Sequence, residues 1–353
     1  TVSITGTSTV GGTSTGQITL GAATLSDGVT LTVGAGAGTP ISLSTVTGTT
    51  GSTTSNLTIN TTGAATVSGA VGTDIGTITV TQSGGTTFSS PIVTTTVTLT
   101  ATTGTIIFNG TLSITTLNTA NAGYNVEING VSTITNAVTF SNTGSVTFGF
   151  SNIIFNGGVT ATAPSLVNIA GIISSSNDTI SIGDSDTPIV LTYYTTISAN
   201  AGNITLGGTV NGNYDLEIYT TGTTTLSGII GGTTSLTSLT TNANGSVVIS
   251  GGSVTTTGAQ TYGDEEFLLG ANTTLTTTSN GNISIAGYIT NSSAQNLTLS
   301  AAGSGTIGVT GTVGSSTALG TLTISQSAGT TFSSTVNAAT VTLTATTGTI
   351  TFT

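Results

Sequence analysis

Hydrophobic and small polar residues alternate along this chain in runs of four to six, and Gly, Asn, Ser or Ala separates one run from the next. Gln17–Leu20, Val29–Val33, Val97–Thr100, Asn203–Leu206, Ser246–Ile249, Asn282–Ile285 and Leu297–Ser300 all read this way. A period of two sends successive side chains to opposite faces of a strand, so each run predicts a short strand with one buried and one exposed face. The apolar positions are mostly Val, Ile and Leu and the polar ones mostly Thr; β-branched residues are stiff at χ1 and suit a pleated surface. Glu occurs only at Glu127, Glu217, Glu265 and Glu266, and Lys, Arg and Met are absent, so little favours helix. The 51 glycines against four prolines suit many tight turns between strands. The pattern predicts an all-β chain.

Short strands at regular spacing are common to sandwiches, barrels and solenoids. Self-similarity separates them. Gly76–Phe108 reads GTITVTQSGGTTFSSPIVTTTVTLTATTGTIIF, and Gly320–Phe352 reads GTLTISQSAGTTFSSTVNAATVTLTATTGTITF, at a constant offset of 244. Upstream, Ser68–Gly72 matches Thr310–Gly314 more loosely. A duplication inside a chain of one texture is the behaviour of stacked coils that touch only their neighbours. The expected architecture is an elongated parallel β-helix, one continuous solenoid over residues 1–353 with this internal duplication. Tandem β-sandwich domains are the alternative, but no linkers at domain-sized intervals divide the chain. Coils of about 20 residues give roughly 15–18 turns and, at about 4.8 Å per turn, a rod on the order of 80 Å. Val, Ile, Leu and Phe fill its interior, and Asn and Thr at equivalent places form polar ladders outside.

The two ends invite comparison. Thr1-Val-Ser-Ile-Thr5 resembles Thr111-Leu-Ser-Ile-Thr115, the segment that follows the first copy of the duplicated block, and the second copy runs out at Thr353. Joining one end to the other nearly regenerates an internal sequence, one residue short. No cap helix and no charged gatekeeper is visible at either end, and uncapped parallel edges predict axial self-association. Thr1, Val2 and Ile4 at one end, and Ile350, Phe352 and Thr353 at the other, are the candidate assembly residues.

Composition narrows the chemistry. Lys, Arg, His, Cys, Met and Trp are all absent, and 11 acidic residues leave a net charge of −11. That removes the imidazole base, the thiolate, the Schiff-base amine and the soft metal ligands. It also removes any side-chain cation for a nucleic-acid backbone. No catalytic residue and no cofactor is predicted, and no apolar run is long enough for a membrane-spanning helix. Carboxylates cluster at Asp184 and Asp186 and again at Asp264, Glu265 and Glu266; either group could hold Ca²⁺, though neither matches a known calcium loop. Asp215 and Glu217 share a strand face, but without a groove they do not make a glycosidase pair. Tyr193, Tyr194, Tyr214, Tyr219 and Tyr262 crowd the middle of the chain, where flat rings could stack sugars of cell-surface glycans. Thr-x-Thr runs such as Thr94–Thr102 suit an ice-binding array, but their recurrence in sequence is irregular. Asn-x-Ser/Thr sequons, Asn56, Asn203 and Asn282 among them, permit glycosylation.

Gly251–Tyr262 (GGSVTTTGAQTY), Ala201–Gly208 (AGNITLGG) and Ala101–Phe108 (ATTGTIIF) resemble the repeat regions of giant bacterial surface proteins, the filamentous-haemagglutinin-like and autotransporter-passenger-like adhesins. The resemblance covers most of the chain. It implies a right-handed parallel β-helix, secretion, and a place on or beyond the outer membrane, as passenger or shaft material. The Lys and Arg scattered through that family are missing here. The expected function is therefore a non-enzymatic structural segment of an extracellular or cell-surface fibre that associates with itself end to end. A carbohydrate-binding adhesin is the alternative.

Overall fold

The computed structural model describes residues 1–12 and 16–353. Among them there is no helix, and every strand ladder is parallel. The single antiparallel contact is an isolated bridge between Asp184 and Thr187. The chain is a parallel β-solenoid of about 17 turns. Tandem sandwiches, which need antiparallel ladders, are excluded.

The contacts divide into two units, Thr1–Asn168 and Ile169–Thr353. In the first, three ladders run up the stack. One passes through Ala23, Val46, Val71, Ile92 and Leu112. A second passes through Leu31, Leu57, Ile78, Val97 and Leu117. The third passes through Ile41, Ala65, Thr86, Ile106 and Val126. The second unit repeats the plan, with columns such as Leu216, Leu239, Gln260, Ile283 and Ile307 and Thr224, Val247, Phe267 and Ile289. The inward half of each alternating run is buried, as in Ser55–Asn60, where Ser55, Leu57 and Ile59 point in and Asn56, Thr58 and Asn60 are half-exposed.

Aromatic rings thicken the core where columns coincide. Phe88 and Phe108 stack at 5.3 Å and 6°, one rung apart. Phe140, Phe148 and Phe155 meet edge to face at 5.6–6.3 Å. Polar groups that face inward are answered locally. Ser83 takes the N–H of Gly85 at 2.9 Å and lies 2.7 Å from the Thr86 hydroxyl. The duplicated block repeats this turn, with Gly329 N–H on Ser327 at 2.9 Å and Thr330 at 3.0 Å. The ladder registers repeat too: Ile78 on Val97 and Thr86 on Ile106 in one copy, Leu322 on Val341 and Thr330 on Ile350 in the other.

Glycine columns bring the corners together. A Cβ on Gly228 would sit 2.1 Å from the carbonyl oxygen of Gly208, and one on Gly251 would sit 2.0 Å from that of Gly228. Only backbone fits at those corners.

The two copies of the duplicated block differ in cover. Val97, Leu99 and Phe108 are 0%, 0% and 1% exposed beneath the next rung, whereas their counterparts Val341, Leu343 and Phe352 are 43%, 47% and 51% exposed. Phe352 still stacks on Phe332 at 5.1 Å and 9°. Phe108→Ala is therefore expected to cost about 3–5 kcal/mol, and Phe352→Ala less than about 1 kcal/mol, in urea denaturation of the isolated chain. Equal losses would show that burial by the following rung does not govern these positions.

Candidate functional site

Five surface features stand out: the acidic turns, the tyrosines, a groove in the first unit, the outer Thr columns, and the rungs at the chain ends. The acidic turns hold their carboxylates apart. Asp184 spends one carboxylate oxygen on the N–H groups of Asp186 and Thr187, both at 3.0 Å, which closes its own turn. The Asp186 carboxylate accepts from the Ser185 hydroxyl at 3.4 Å. Asp264 and Glu265 lie in the bend before the strand Glu266–Leu269, and the bend separates the three carboxylates. Asp264 is 2% exposed and lies inside, Glu265 is exposed, and Glu266 is half-buried and accepts from the Thr290 hydroxyl at 2.8 Å. Among the described residues no three such groups converge on one point. For Asp264, Glu265 and Glu266, adjacency in sequence did not become convergence in space.

Asp264 is instead an internal carboxyl. One oxygen accepts from the Thr241 hydroxyl. The other is buried with no protein partner. Burial pushes its pKa up to about 6, partly offset by the Thr241 hydrogen bond. The native chain therefore holds this proton more tightly than the unfolded chain does. The resulting stabilisation is complete below about pH 4 and is lost as pH rises through about 6. Between pH 4 and 7 the chain is expected to lose about 2–3 kcal/mol more than Asp264→Asn does, read from urea midpoints at each pH. Parallel profiles for the two proteins would refute the assignment.

The tyrosines separate into two environments. Tyr262 is 1% exposed, bonds through its hydroxyl to Gln260 at 3.0 Å, and packs edge-on to Phe267 at 4.9 Å. It is a core residue and cannot touch a surface ligand, which corrects its place among the carbohydrate candidates. The reason is parity: in Gln260–Tyr262 the first and third positions face inward. Tyr193, Tyr194 and Tyr219 are 48%, 37% and 38% exposed, and Tyr214 is half-buried. The ladder sets Thr196 beside Glu217 and Ser198 beside Tyr219. Tyr193 and Tyr214 lie 5.8 Å apart with rings tilted by 34°. Tyr219 donates to Glu217 at 2.8 Å, and the hydrogen bond to Glu217 holds the phenols of both Tyr219 and Tyr194 above their usual range. Asp215, on the same strand, accepts from Ser238 at 2.6 Å. Beside Tyr219 is a shallow depression of about 160 Å³ floored by Ser198, Asn200 and Asn242. Four aromatic rings and two carboxylates thus share one flank of the second unit.

In the first unit an open groove of about 450 Å³ runs across several rungs, lined by Thr73, Asp74, Thr94, Thr95, Ser113 and Thr133 among others. Thr73 and Asp74 have positive φ, 48° and 64°. That geometry costs a β-branched residue strain. The adjacent rung holds it: Gly48 and Ser55 donate their N–H groups to the carbonyls of Thr73 and Asp74 at 2.6 and 2.9 Å. One Asp74 carboxylate oxygen is buried with no protein partner. Sequence reasoning passed over this turn, whose only signal is an Asp in a short Gly-Thr-Asp linker.

The outer Thr columns are more regular in space than in sequence. Thr32, Thr58, Thr79, Thr98 and Asn118 stack in register, at unequal steps of 26, 21, 19 and 20 residues. Beside them stack Thr30, Asn56, Thr77, Thr96 and Thr116. The irregular recurrence of Thr-x-Thr in sequence therefore reflects variable loops, and the face itself is ordered.

At the first rung Thr1 and Val2 are exposed, Val2 to 38%, while Ile4 is 9% exposed. At the last, Ile350 is half-buried and Phe352 and Thr353 are exposed. Val2–Ile4 pairs with Ala23–Leu25, and Ile350–Phe352 pairs with Thr330–Phe332. No family model, curated protein or solved structure matches this chain.

Proposed function

We propose that the chain is a non-enzymatic structural segment of an extracellular or cell-surface fibre, in which solenoid units associate end to end through their parallel β edges. The observation that carries this reading is the all-parallel β-solenoid of about 17 turns, whose rungs are hydrogen-bonded to their neighbours and faced outside by columns of Thr and Asn. A parallel ladder has unlike edges, so contact between units continues its hydrogen-bond pattern without closing. A surface without cations and with hydroxyl-rich faces supports a bland shaft, and a chain with no Lys or Arg offers trypsin-like proteases nothing to cut. The texture shared with filamentous-haemagglutinin-like and autotransporter-passenger-like proteins supports the cell-surface setting.

Negative-stain microscopy of the chain across a concentration series tests the fibre. Filaments with an axial repeat are expected. Because every side-chain charge is negative, at −11 per chain, assembly is expected to speed up as salt rises from 10 to about 150 mM and the Debye length falls from about 30 to 8 Å. Discrete particles at every concentration and salt would overturn the reading.

The tyrosine flank supports a second reading, an adhesin that stacks glycan rings on Tyr194 and Tyr219 while Glu217 and Asp215 accept sugar hydroxyls. Binding on a glycan array that weakens at least about tenfold in a Tyr194→Ala, Tyr219→Ala double variant is the expected result, a loss of about 1.4 kcal/mol. Equal binding by the variant would remove this flank from consideration.

A further inference from the structure

We infer that the tyrosine flank of the second unit takes a glycan built of free amino sugars, whose rings lie on Tyr194 and Tyr219 and whose ammonium groups pair with Asp215 and Glu217. This rests on the glycan-binding reading above and names the class of glycan. The two aromatic rings are held down against the sheet. Tyr219 donates to Glu217, two residues back on its own strand, at 2.8 Å. Tyr194 accepts from the Thr196 hydroxyl, two residues ahead on the neighbouring strand, at 3.3 Å, and also bonds to Glu217. Each ring therefore leans along its strand rather than standing away from it, and both phenol hydroxyls converge on one carboxylate. Exposures of 37% and 38% leave part of each ring open to a ligand.

Charge decides the class. Asp215 and Glu217 stand two residues apart on one strand, so they share a face with about 7 Å between their Cα atoms. The register that sets Thr196 beside Glu217 sets Tyr194 beside Asp215. Hydroxyls answer part of each carboxylate, Ser238 on Asp215 at 2.6 Å and Tyr219 on Glu217. A carboxylate has about four acceptor positions, so both keep some for a ligand. No side chain of this protein is cationic, so neither carboxylate has a side-chain ion-pair partner of its own. An anionic glycan, whether sialylated, sulfated or uronic, meets like charge here. A neutral glycan gains the ring contact and ordinary hydroxyl bonds alone. A protonated amino sugar gains both of these and charge-assisted bonds to the carboxylates, beside ring faces whose quadrupole itself favours a cation.

A glucosamine hexamer and its fully N-acetylated counterpart differ only at the nitrogen, and titration calorimetry with each tests the inference. At about pH 5.5, well below the usual range of a primary amine, the glucosamine hexamer is expected to bind about fivefold to tenfold more tightly. That preference is expected to shrink as salt rises from about 10 to 150 mM. Asp215→Asn combined with Glu217→Gln keeps the shape of both side chains and is expected to bring the two hexamers to equal affinity, the acetylated one binding as before. Glu127→Gln combined with Glu265→Gln removes the same charge outside the flank, from the first unit and from the bend before Glu266–Leu269, and is expected to leave the preference intact. Equal loss of preference in both double variants would mean diffuse attraction to an acidic chain and overturn the inference. Equal binding of the two hexamers by the native chain would overturn it while leaving the glycan reading standing. So would binding of neither hexamer by a chain that binds other sugars on the array. No binding to any glycan would remove the glycan reading and this inference together.

Discussion

Backbone hydrogen bonding between successive rungs is the constraint on which this structure depends. A parallel strand cannot satisfy its N–H and C=O groups within its own coil, so each rung relies on the ones before and after it. Everything else is arranged to let that ladder continue. Glycine corners permit the closest approach, as at Gly208, Gly228 and Gly251. Inward Ser and Thr close the turns that would otherwise strand a backbone group, as Thr220 does by accepting from Gly222 N–H at 2.8 Å. Even the strained pair Thr73 and Asp74 lies where the neighbouring rung takes both of its carbonyls.

Nearly all of the outer surface works without charge. Amides and hydroxyls stack where other proteins use ion pairs. Asn118, Asn129 and Asn136 donate to Thr98, Asn109 and Thr116 one rung away, at 3.3, 2.9 and 2.9 Å. Asn203, Asn272 and Asn282 accept backbone N–H groups of the next rung, each at 2.9 Å. Such bonds each contribute about 1 kcal/mol and are insensitive to salt, unlike surface ion pairs. The few carboxylates are used locally: Asp27 accepts from the N–H groups of Thr53 and Ser52 at 2.8 and 3.1 Å, and these bonds hold its carboxyl below the usual range.

Much of the fold was legible because alternation and self-similarity are both one-dimensional signals. The period of two named the strands, and the block at Gly76–Phe108 with its copy at Gly320–Phe352 pointed to stacked coils. Position around the coil was not legible, since it depends on how many residues each loop inserts. The Thr column from Thr32 to Asn118 shows this: its unequal steps look like disorder in a linear reading and become a straight line once loops absorb the surplus. Side was equally hidden. Tyr219 and Tyr262 both lie in alternating runs near acidic residues, yet one faces solvent and the other the core. Asp264 went inward from the bend that precedes Glu266–Leu269, and that bend divided three carboxylates adjacent in sequence.

The lack of opposite charges also bears on how register is chosen. Backbone pairing between parallel strands is nearly blind to sequence, and a slip of one residue would turn every buried group outward. Many solenoids could correct this with salt bridges between rungs; a chain without a single Lys or Arg cannot. Register must come from shape instead. Phe88 stacks flat on Phe108, and a glycine meets a glycine at corners where any Cβ would collide. A slip of one residue would set a side chain against a corner built for none and break the aromatic stack at the same time. Shape of this kind is local to each pair of rungs and indifferent to salt and pH. It can therefore select one alignment at every step of the stack, and it does so without any partner-specific charge.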